Sequence, residues 1–70
     1  MPEMIPVESS NLAAVGYDEQ LLELHVQFKN GAVWVYRAVP ADVYQNMTTA
    51  PSKGRYFAQQ IKPRFQGSKL

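Results

Sequence analysis

The sequence predicts an α+β domain in which a small antiparallel β-sheet of three to four strands is followed by two short C-terminal helices packed on one face. Two observations support this class. Apolar residues alternate with polar ones in the first half of the chain, and they recur at helical spacing after Pro40. Strands first and helices afterwards is the order typical of an α+β architecture. The 70 residues suffice for a single domain, spanning residues 1–70.

Composition excludes several classes of protein. The absence of cysteine excludes disulfides, thiolate metal sites and cysteine nucleophiles. His25 is the one histidine, which excludes a site with two histidine ligands, so we expect neither a metal nor another cofactor. No apolar run approaches the roughly 20 residues of a membrane span, and no signal peptide is recognisable. We therefore expect a cytoplasmic protein with no membrane partner.

The N-terminal part of the chain predicts an edge element and one strand. Pro2 and Pro6 favour an arm or a short edge strand over residues 2–8, because proline cannot donate to a β-ladder. A strand is expected over residues 12–17 and a turn over residues 16–20.

The clearest pattern is a β-hairpin centred on Asn30-Gly31. Apolar and polar residues alternate over 22–28, and a β-branched and aromatic stretch follows over 33–36. Asn-Gly is the favoured pair for a two-residue type I′ turn, in which both residues take positive φ. The two stretches are therefore expected to pair as antiparallel neighbours.

The turn type also predicts the register of the hairpin and hence its two faces. With Asn30-Gly31 at the centre, Phe28 lies opposite Val33, and the pairs further out follow. One face is then apolar, with Leu24, Val26, Phe28, Val33 and Val35. The opposite face holds His25, Gln27, Trp34 and Tyr36. A slip of one residue would scramble this assignment.

Two helices are expected after Pro40. The first is indicated by apolar residues at helical spacing over 43–50. Ser52 is a good N-cap for the second, which is predicted over 53–61. The last residues, 66–70, are expected to form a flexible tail.

The formal net charge of +1 hides an uneven distribution of charged residues. Residues 1–28 carry five acidic side chains and no basic one, whereas residues 51–70 carry five basic side chains and no acidic one. This separation indicates either an anion-binding C-terminal third or complementary pairing of the two ends within the fold. Basic residues that are simply solvated on surface helices are the more ordinary explanation.

An aromatic strand face is the first candidate site. Trp34 and Tyr36, one residue apart on a strand, project to the same side and offer stacking platforms for bases. His25 and Gln27 would supply hydrogen bonds beside them. The alternative is that a helix or another subunit covers this face, because a monomer seldom leaves both rings bare.

Basic residues of the C-terminal third form the second candidate site. They are Lys53, Arg55, Lys62 and Arg64, with Tyr56 nearby. The first two follow Ser52 at a predicted helix start, where backbone N–H groups and basic side chains suit a phosphate. The simpler interpretation is that Ser52 only caps the helix and that Gly54 allows close packing.

No catalytic residue is predicted. His25 is the one side chain with an ordinary pKa near neutrality, and no carboxylate partner for it is evident from the sequence. The serines are explained as turn and cap residues. We therefore expect a protein that is not an enzyme.

Short motifs follow one another in order over roughly residues 7–65. They are Val7 with Ser9-Ser10, Val15-Gly16-Tyr17-Asp18, the Leu24, Val26, Phe28, Gly31 alternation, Trp34-Val35-Tyr36, Val39-Pro40, Val43-Tyr44, Ser52-Lys53-Gly54 and Tyr56-Phe57. Together they resemble the KTSC domain, a short module found at the C-terminus of some lysyl-tRNA synthetases and as a stand-alone bacterial and phage protein. The central motif of that family is tyrosine, any residue, tyrosine, from which this chain departs at Trp34.

The resemblance implies RNA binding, which has been suggested for the family from its attachment to a synthetase, and it implies no catalytic residues. We expect a small binding module for RNA or another phosphate-bearing ligand. The alternative is a protein-interaction module, either a homodimer or a modulator of a host or cellular protein, with Trp34 and Tyr36 as interface anchors. In a homodimer, the acidic first 28 residues would meet the basic end of the second copy.

Overall fold

The computed structural model describes residues 2–70 as a five-stranded antiparallel sheet with helices on one face. The strands are β1 Ile5–Pro6, β2 Leu12–Asp18, β3 Glu23–Phe28, β4 Val33–Tyr36 and β5 Gly67–Lys69. The helices are α1 Ala41–Thr49 and α2 Lys53–Tyr56, which a π-helical turn, Phe57–Ile61, continues. Each strand pairs with the next one along the chain. The α+β class is confirmed, with five strands in place of the expected three or four.

Both helices begin and end at residues that the sequence singles out. The chain enters α1 from Pro40 and leaves it at Ala50, which is extended because a proline follows. The hydroxyl oxygen of Ser52 accepts a hydrogen bond from the backbone N–H of Arg55 at 3.4 Å, so Ser52 is the N-cap of α2. The predicted helix over 53–61 is therefore present, with its second half in π-helical geometry.

The hydrophobic core lies between the inner face of the sheet and the helices. Its largest fully buried side chains are Phe57, Leu12, Leu24, Met47, Ile61, Val15, Val26 and Val39. The ring of Tyr17 on β2 stacks on that of Tyr44 on α1, with centroids 4.8 Å apart, and its hydroxyl donates to the carbonyl of Val39. The helices therefore cover one face of the sheet only.

The hairpin register differs from the prediction by one residue. Gln27 pairs with Val33, and Val26 pairs with Trp34, so the loop contains three residues and not two. Only Gly31 in this loop has positive φ, at 93°, as in a three-residue loop that ends in a glycine bulge. The slip places Trp34 and Tyr36 on the inner face with Val26, and it leaves His25 and Gln27 on the outer face.

The last residues form a strand in the structure, whereas the sequence indicated a flexible tail over 66–70. Gly67 pairs with Tyr36 and Lys69 with Trp34, and the N–H of Leu70 donates to the carbonyl of Val33 at 2.8 Å. A Cβ on Gly67 would lie 2.5 Å from the Tyr36 ring. The glycine therefore lets β5 lie directly against the tyrosine, a contact that local sequence patterns do not reveal.

The N-terminal arm crosses the outer face of the sheet. Gly16, expected in a turn, lies within β2, where a Cβ would be 2.6 Å from the carbonyl oxygen of Glu3 and 2.9 Å from the sulfur of Met4. The short edge strand β1 follows, as Pro6 predicted. The turn after β2 runs over residues 19–22 instead.

No helix within residues 2–70 has the length and apolar character needed to span a bilayer.

Candidate functional site

Four aromatic side chains form a connected cluster beneath the hairpin. The rings of Trp34 and Tyr36 are neighbours on β4, with centroids 6.5 Å apart. Tyr36 meets the ring of Phe57 edge-on at 5.2 Å, and Phe28 meets the same ring at 5.8 Å. Such edge-on pairs contribute about 0.5–1.5 kcal/mol each beyond their buried area. The cluster therefore packs β3 and β4 against the π-helical turn and fixes the position of Trp34.

Tyr36 is part of this packing and does not lie on an open face. Its side chain is 4% exposed, and burial raises the pKa of its hydroxyl above the ordinary value of 10.0. The predicted position of Trp34 and Tyr36 on the face opposite the apolar one is therefore wrong, because the slipped register turns both toward the helices. Of the two possibilities left open for these rings, a covering helix describes Tyr36. Trp34 lies at the border of the core and stays partly exposed.

The exposed part of Trp34 opens onto a cleft of about 280 Å³ at the hairpin end of the sheet. The residues that line it are Phe28, Asn30, Ala32, Trp34, Tyr36 and Lys62. This volume is slightly below the roughly 300–1,000 Å³ of sites that enclose a whole small molecule. The cleft therefore suits a flat ring that belongs to a larger ligand, with a cationic side chain beside it.

The π-helical turn explains why Lys62 reaches this cleft. In such a turn the backbone N–H bonds to the carbonyl five residues earlier, and the N–H of Lys62 donates to the carbonyl of Phe57 at 2.9 Å. Lys62 therefore follows one wide turn after Phe57, whose ring contacts Tyr36. Among the basic residues predicted for the site, Lys62 is the one that the fold brings beside Trp34.

His25 and Gln27 do not join the aromatic residues, since they lie on the outer face. His25 is 6% exposed, its Nε2 lies 3.4 Å from Oε1 of Glu23, and its Nδ1 is buried without a hydrogen-bond partner. The other carboxylate oxygen of Glu23 is 3.6 Å from Nε of Arg37, whose Nη1 donates to Ser68 at 3.2 Å. A polar network thus crosses three strands on the face opposite the cleft.

Arg55 and Tyr56 line a second cleft, of about 250 Å³, where α1 meets α2, together with Pro51 and Gln59. Lys53 and Arg64 line neither cleft. Gly54 packs so closely that a Cβ would lie 2.6 Å from the hydroxyl oxygen of Ser9. This contact and the Ser52 cap agree with the simpler interpretation of the helix start as a packing feature.

The basic residues of the C-terminal third are free of ion pairs within residues 2–70. The salt bridges of this part of the chain join Glu23 to His25 and to Arg37 only. The acidic and basic ends therefore do not neutralise each other through direct contacts. The uneven charge distribution of the sequence persists on the folded surface.

Three residues of the Trp34 cleft were not predicted from the sequence, namely Phe28, Asn30 and Ala32. A signal for them existed, because a three-residue loop that ends in Gly31 fits Lys29-Asn30-Gly31 as well as a two-residue loop does. With that loop, Ala32 pairs opposite Phe28 and the backbone N–H of Phe28 bonds to the carbonyl of Ala32, as the structure shows. Asn30 then accepts from the N–H of Ala32 at 3.0 Å and lies at the cleft rim.

His25 and the acidic side chains are the groups of the described residues that could take part in acid–base or metal chemistry. Over residues 2–70 the hydrogen-bond partner of the His25 ring is Oε1 of Glu23, at 3.4 Å. No three histidine or acidic side chains of this part come together as metal ligands.

The chain is similar in sequence to a known domain family and to several proteins. The model of the KTSC domain matches residues 8–65. A protein of Tsukamurella paurometabola is 44% identical over 69 residues, covering 96% of this chain and 100% of its own length. An uncharacterized protein of Stutzerimonas stutzeri is 42% identical over 60 residues, covering 86% and 84%.

A larger enzyme and a solved structure are also similar. A lysine–tRNA ligase of Nostoc punctiforme is 31% identical over 67 residues, which cover 96% of this chain but 12% of the ligase. The crystal structure of a KTSC domain protein from Yersinia pestis superposes with a TM-score of 0.92 at 37% identity, covering 100% of this chain and 99% of that one.

Proposed function

The chain belongs to the KTSC domain family, and we propose that it is a non-enzymatic module that binds single-stranded RNA at the Trp34 cleft. The observation that carries this proposal is a cleft of about 280 Å³ that holds both a partly exposed indole and a lysine with no ion pair to any residue of 2–70. Stacking on an aromatic side chain contributes about 1–3 kcal/mol per base, and a lysine neutralises a phosphate. One base and one phosphate of a strand would occupy the cleft.

The remaining charges support a polymer ligand over a small one. Lys69 and Lys29 lie at the same end of the sheet as Lys62, and none of these three is paired within residues 2–70. A strand that leaves the cleft in either direction would meet further cations. Partial matching of lysine–tRNA ligases, enzymes that act on RNA, also favours this class of ligand.

Titration of Trp34 fluorescence with a short single-stranded RNA at low salt tests the proposal, since Trp34 is the one tryptophan of the chain. Binding should quench the emission, and log K should fall linearly with log salt, by about 0.7 for each phosphate neutralised. Absence of binding at low salt would overturn the proposal. Equal affinity for a mononucleotide would replace RNA with a small phosphate-bearing ligand.

Two matched variants separate the cleft from general surface charge. Lys62→Gln should weaken RNA binding and lower the salt slope by about 0.7. Arg37→Gln, which removes the same charge at the opposite end of the sheet, should change both far less. Equal effects of the two variants would contradict a role for the cleft.

Trp34→Leu, followed with dye-labelled RNA, should cost about 1–3 kcal/mol of binding free energy.

A further inference from the structure

One end of the sheet combines exposed leucines with free carboxylates. The turn between β2 and β3 exposes Leu21 to 63% and Leu22 to 42%. Asp18, Glu19 and Asp42 lie around it, and none of the three is in an ion pair within residues 2–70. Burial is the largest cause of the raised pKa of the Tyr17 hydroxyl, and the nearby charges of all three carboxylates raise that pKa further. We call this region the acidic end.

The backbone fixes the leucines in this exposed position. Leu22 has a φ of 55°, a left-handed conformation that a leucine rarely adopts, and its carbonyl accepts the N–H of Val39 at 2.9 Å. A glycine or asparagine would occupy the position with less strain. The turn therefore holds an apolar side chain in solvent at a position that favours other residues.

The opposite end of the sheet has the complementary character. Lys29 lies in the hairpin loop, while Lys62 and Lys69 line clefts that both include Asn30. Leu70, 65% exposed, borders the larger of these clefts, of about 450 Å³. We call this region the lysine end. The six residues of β3 separate the two ends by about 17 Å.

We propose that the chain associates with a second copy of itself head to tail, the acidic end of one molecule contacting the lysine end of the next. Both complementary surfaces belong to the same chain, so no other component is needed. Contacts between like ends would repel, and an end-to-end contact between unlike ends is heterologous, because it joins different surfaces of the two copies. Exposed leucines at both ends add apolar area to the charge complementarity.

The contact is small and governed by charge. An interface of standard size takes about 800 Å² from each partner, and the whole surface of this chain is 4520 Å². One end of so small a domain provides less than that. The association is therefore weak, and it depends on salt because the Debye length falls from about 30 Å at 0.01 M to about 3 Å at 1 M.

Sedimentation velocity over a protein concentration series, without RNA, measures the association. At low salt the average mass should rise above that of one chain as concentration increases, and it should return to one chain at high salt. A single-chain mass at every concentration in low salt would overturn the proposal. Association that is equally strong at high salt would overturn it as well.

A charge exchange identifies the surfaces. Glu19→Lys with Asp42→Lys reverses the acidic end, and Lys29→Glu with Lys69→Glu reverses the lysine end. Each double variant alone should stay monomeric, whereas an equimolar mixture should associate, because opposite charges again face each other. A mixture that stays monomeric contradicts the proposal. Asp18 and Lys62 remain unchanged, since Asp18 accepts turn hydrogen bonds from Gln20 and Leu21 and Lys62 belongs to the proposed RNA cleft.

Leu22→Asn tests the apolar part without changing charge. Asparagine tolerates positive φ, so this variant should fold at least as well as the native chain. We expect it to weaken the association several-fold. Unchanged association of Leu22→Asn would refute the head-to-tail contact. The contact would also be refuted if Trp34→Leu abolished association and the charge variants did not, because the interface would then lie elsewhere.

Discussion

Two individual residues have left-handed backbone conformations, and a hydrogen bond joins the segments that contain them. Leu22 has a φ of 55° and Ala38 a φ of 60°, and the N–H of Val39 links the two segments by a hydrogen bond to Leu22. The left-handed region costs a residue with a Cβ about 1–2 kcal/mol. The full burial of Val39 offsets part of this cost, so packing holds the chain in a conformation that local preferences oppose.

Ala38→Gly should raise the free energy of unfolding by about 0.5–1 kcal/mol. The glycine removes the steric cost of positive φ, and this gain exceeds the added entropy of the unfolded chain. Urea unfolding followed by circular dichroism measures the difference. Ala58→Gly, at an exposed helical position with ordinary φ, is the matched control and should lower stability by about 1 kcal/mol. A loss at Ala38 would contradict the proposed strain.

At the scale of elements, β5 and the π-helical turn together complete the site. β5 pairs with β4 along Trp34 and Tyr36, and the π-helical turn brings Lys62 to the cleft below them. Neither element has a strong local signature. Residues 66–70 are mostly polar, and a π-helical turn has the same apolar spacing of Phe57 and Ile61 as an α-helix. Their geometry depends on what they pack against.

Truncation after Phe65 should destabilise the fold by about 1–3 kcal/mol. The change uncovers part of Tyr36 and Val35, which are 4% and 2% exposed in the native chain, and burial of apolar area contributes about 25 cal/mol per Å². Thermal unfolding and the emission maximum of Trp34 report the loss. Removal of Leu70 alone, which leaves β5 in place, should cost less, within about 1 kcal/mol. Equal stability of the truncated and native chains would restore the flexible-tail prediction.

The hairpin shows how far element patterns reach. Alternation of apolar and polar residues over 22–28 predicted β3, and Asn30-Gly31 predicted a tight turn, as the structure confirms. The same dipeptide fits loops of two or three residues, which differ by one step in register. Because a shift of one residue moves every side chain of a strand to the other face, the two-residue loop predicted Trp34 on the wrong side of the sheet.

Across the whole molecule, one buried tyrosine and two half-buried ones make the stability of the fold depend on pH. Burial raises the folded-state pKa of Tyr36 and Tyr44, and burial with nearby carboxylates raises that of Tyr17. In the unfolded chain these groups titrate near about 10. Their contribution to stability is therefore fully present below about pH 10 and is lost as pH rises through the higher folded-state pKa values.

The free energy of unfolding should accordingly stay level up to about pH 10 and fall above it. Urea unfolding at about pH 9, 10 and 11 measures this dependence. Tyr36→Phe removes one of the titrating groups and should make the decline above about pH 10 shallower. Stability that remains constant across this range, or an identical decline in the variant, would contradict the raised pKa of Tyr36.

Elements that depend on local periodicity and local backbone chemistry could be predicted from the sequence. These are β2, β3, β4, the two helices, the Ser52 cap and the separation of charge along the chain. The strand register, the pairing of β5 and the composition of the site became clear only from the folded chain, in which Trp34 lies with Lys62 and apart from His25. The physical reason is that these depend on burial between distant segments. Packing Tyr36 into the core and Trp34 against its border outweighs the small energy difference between the two turns.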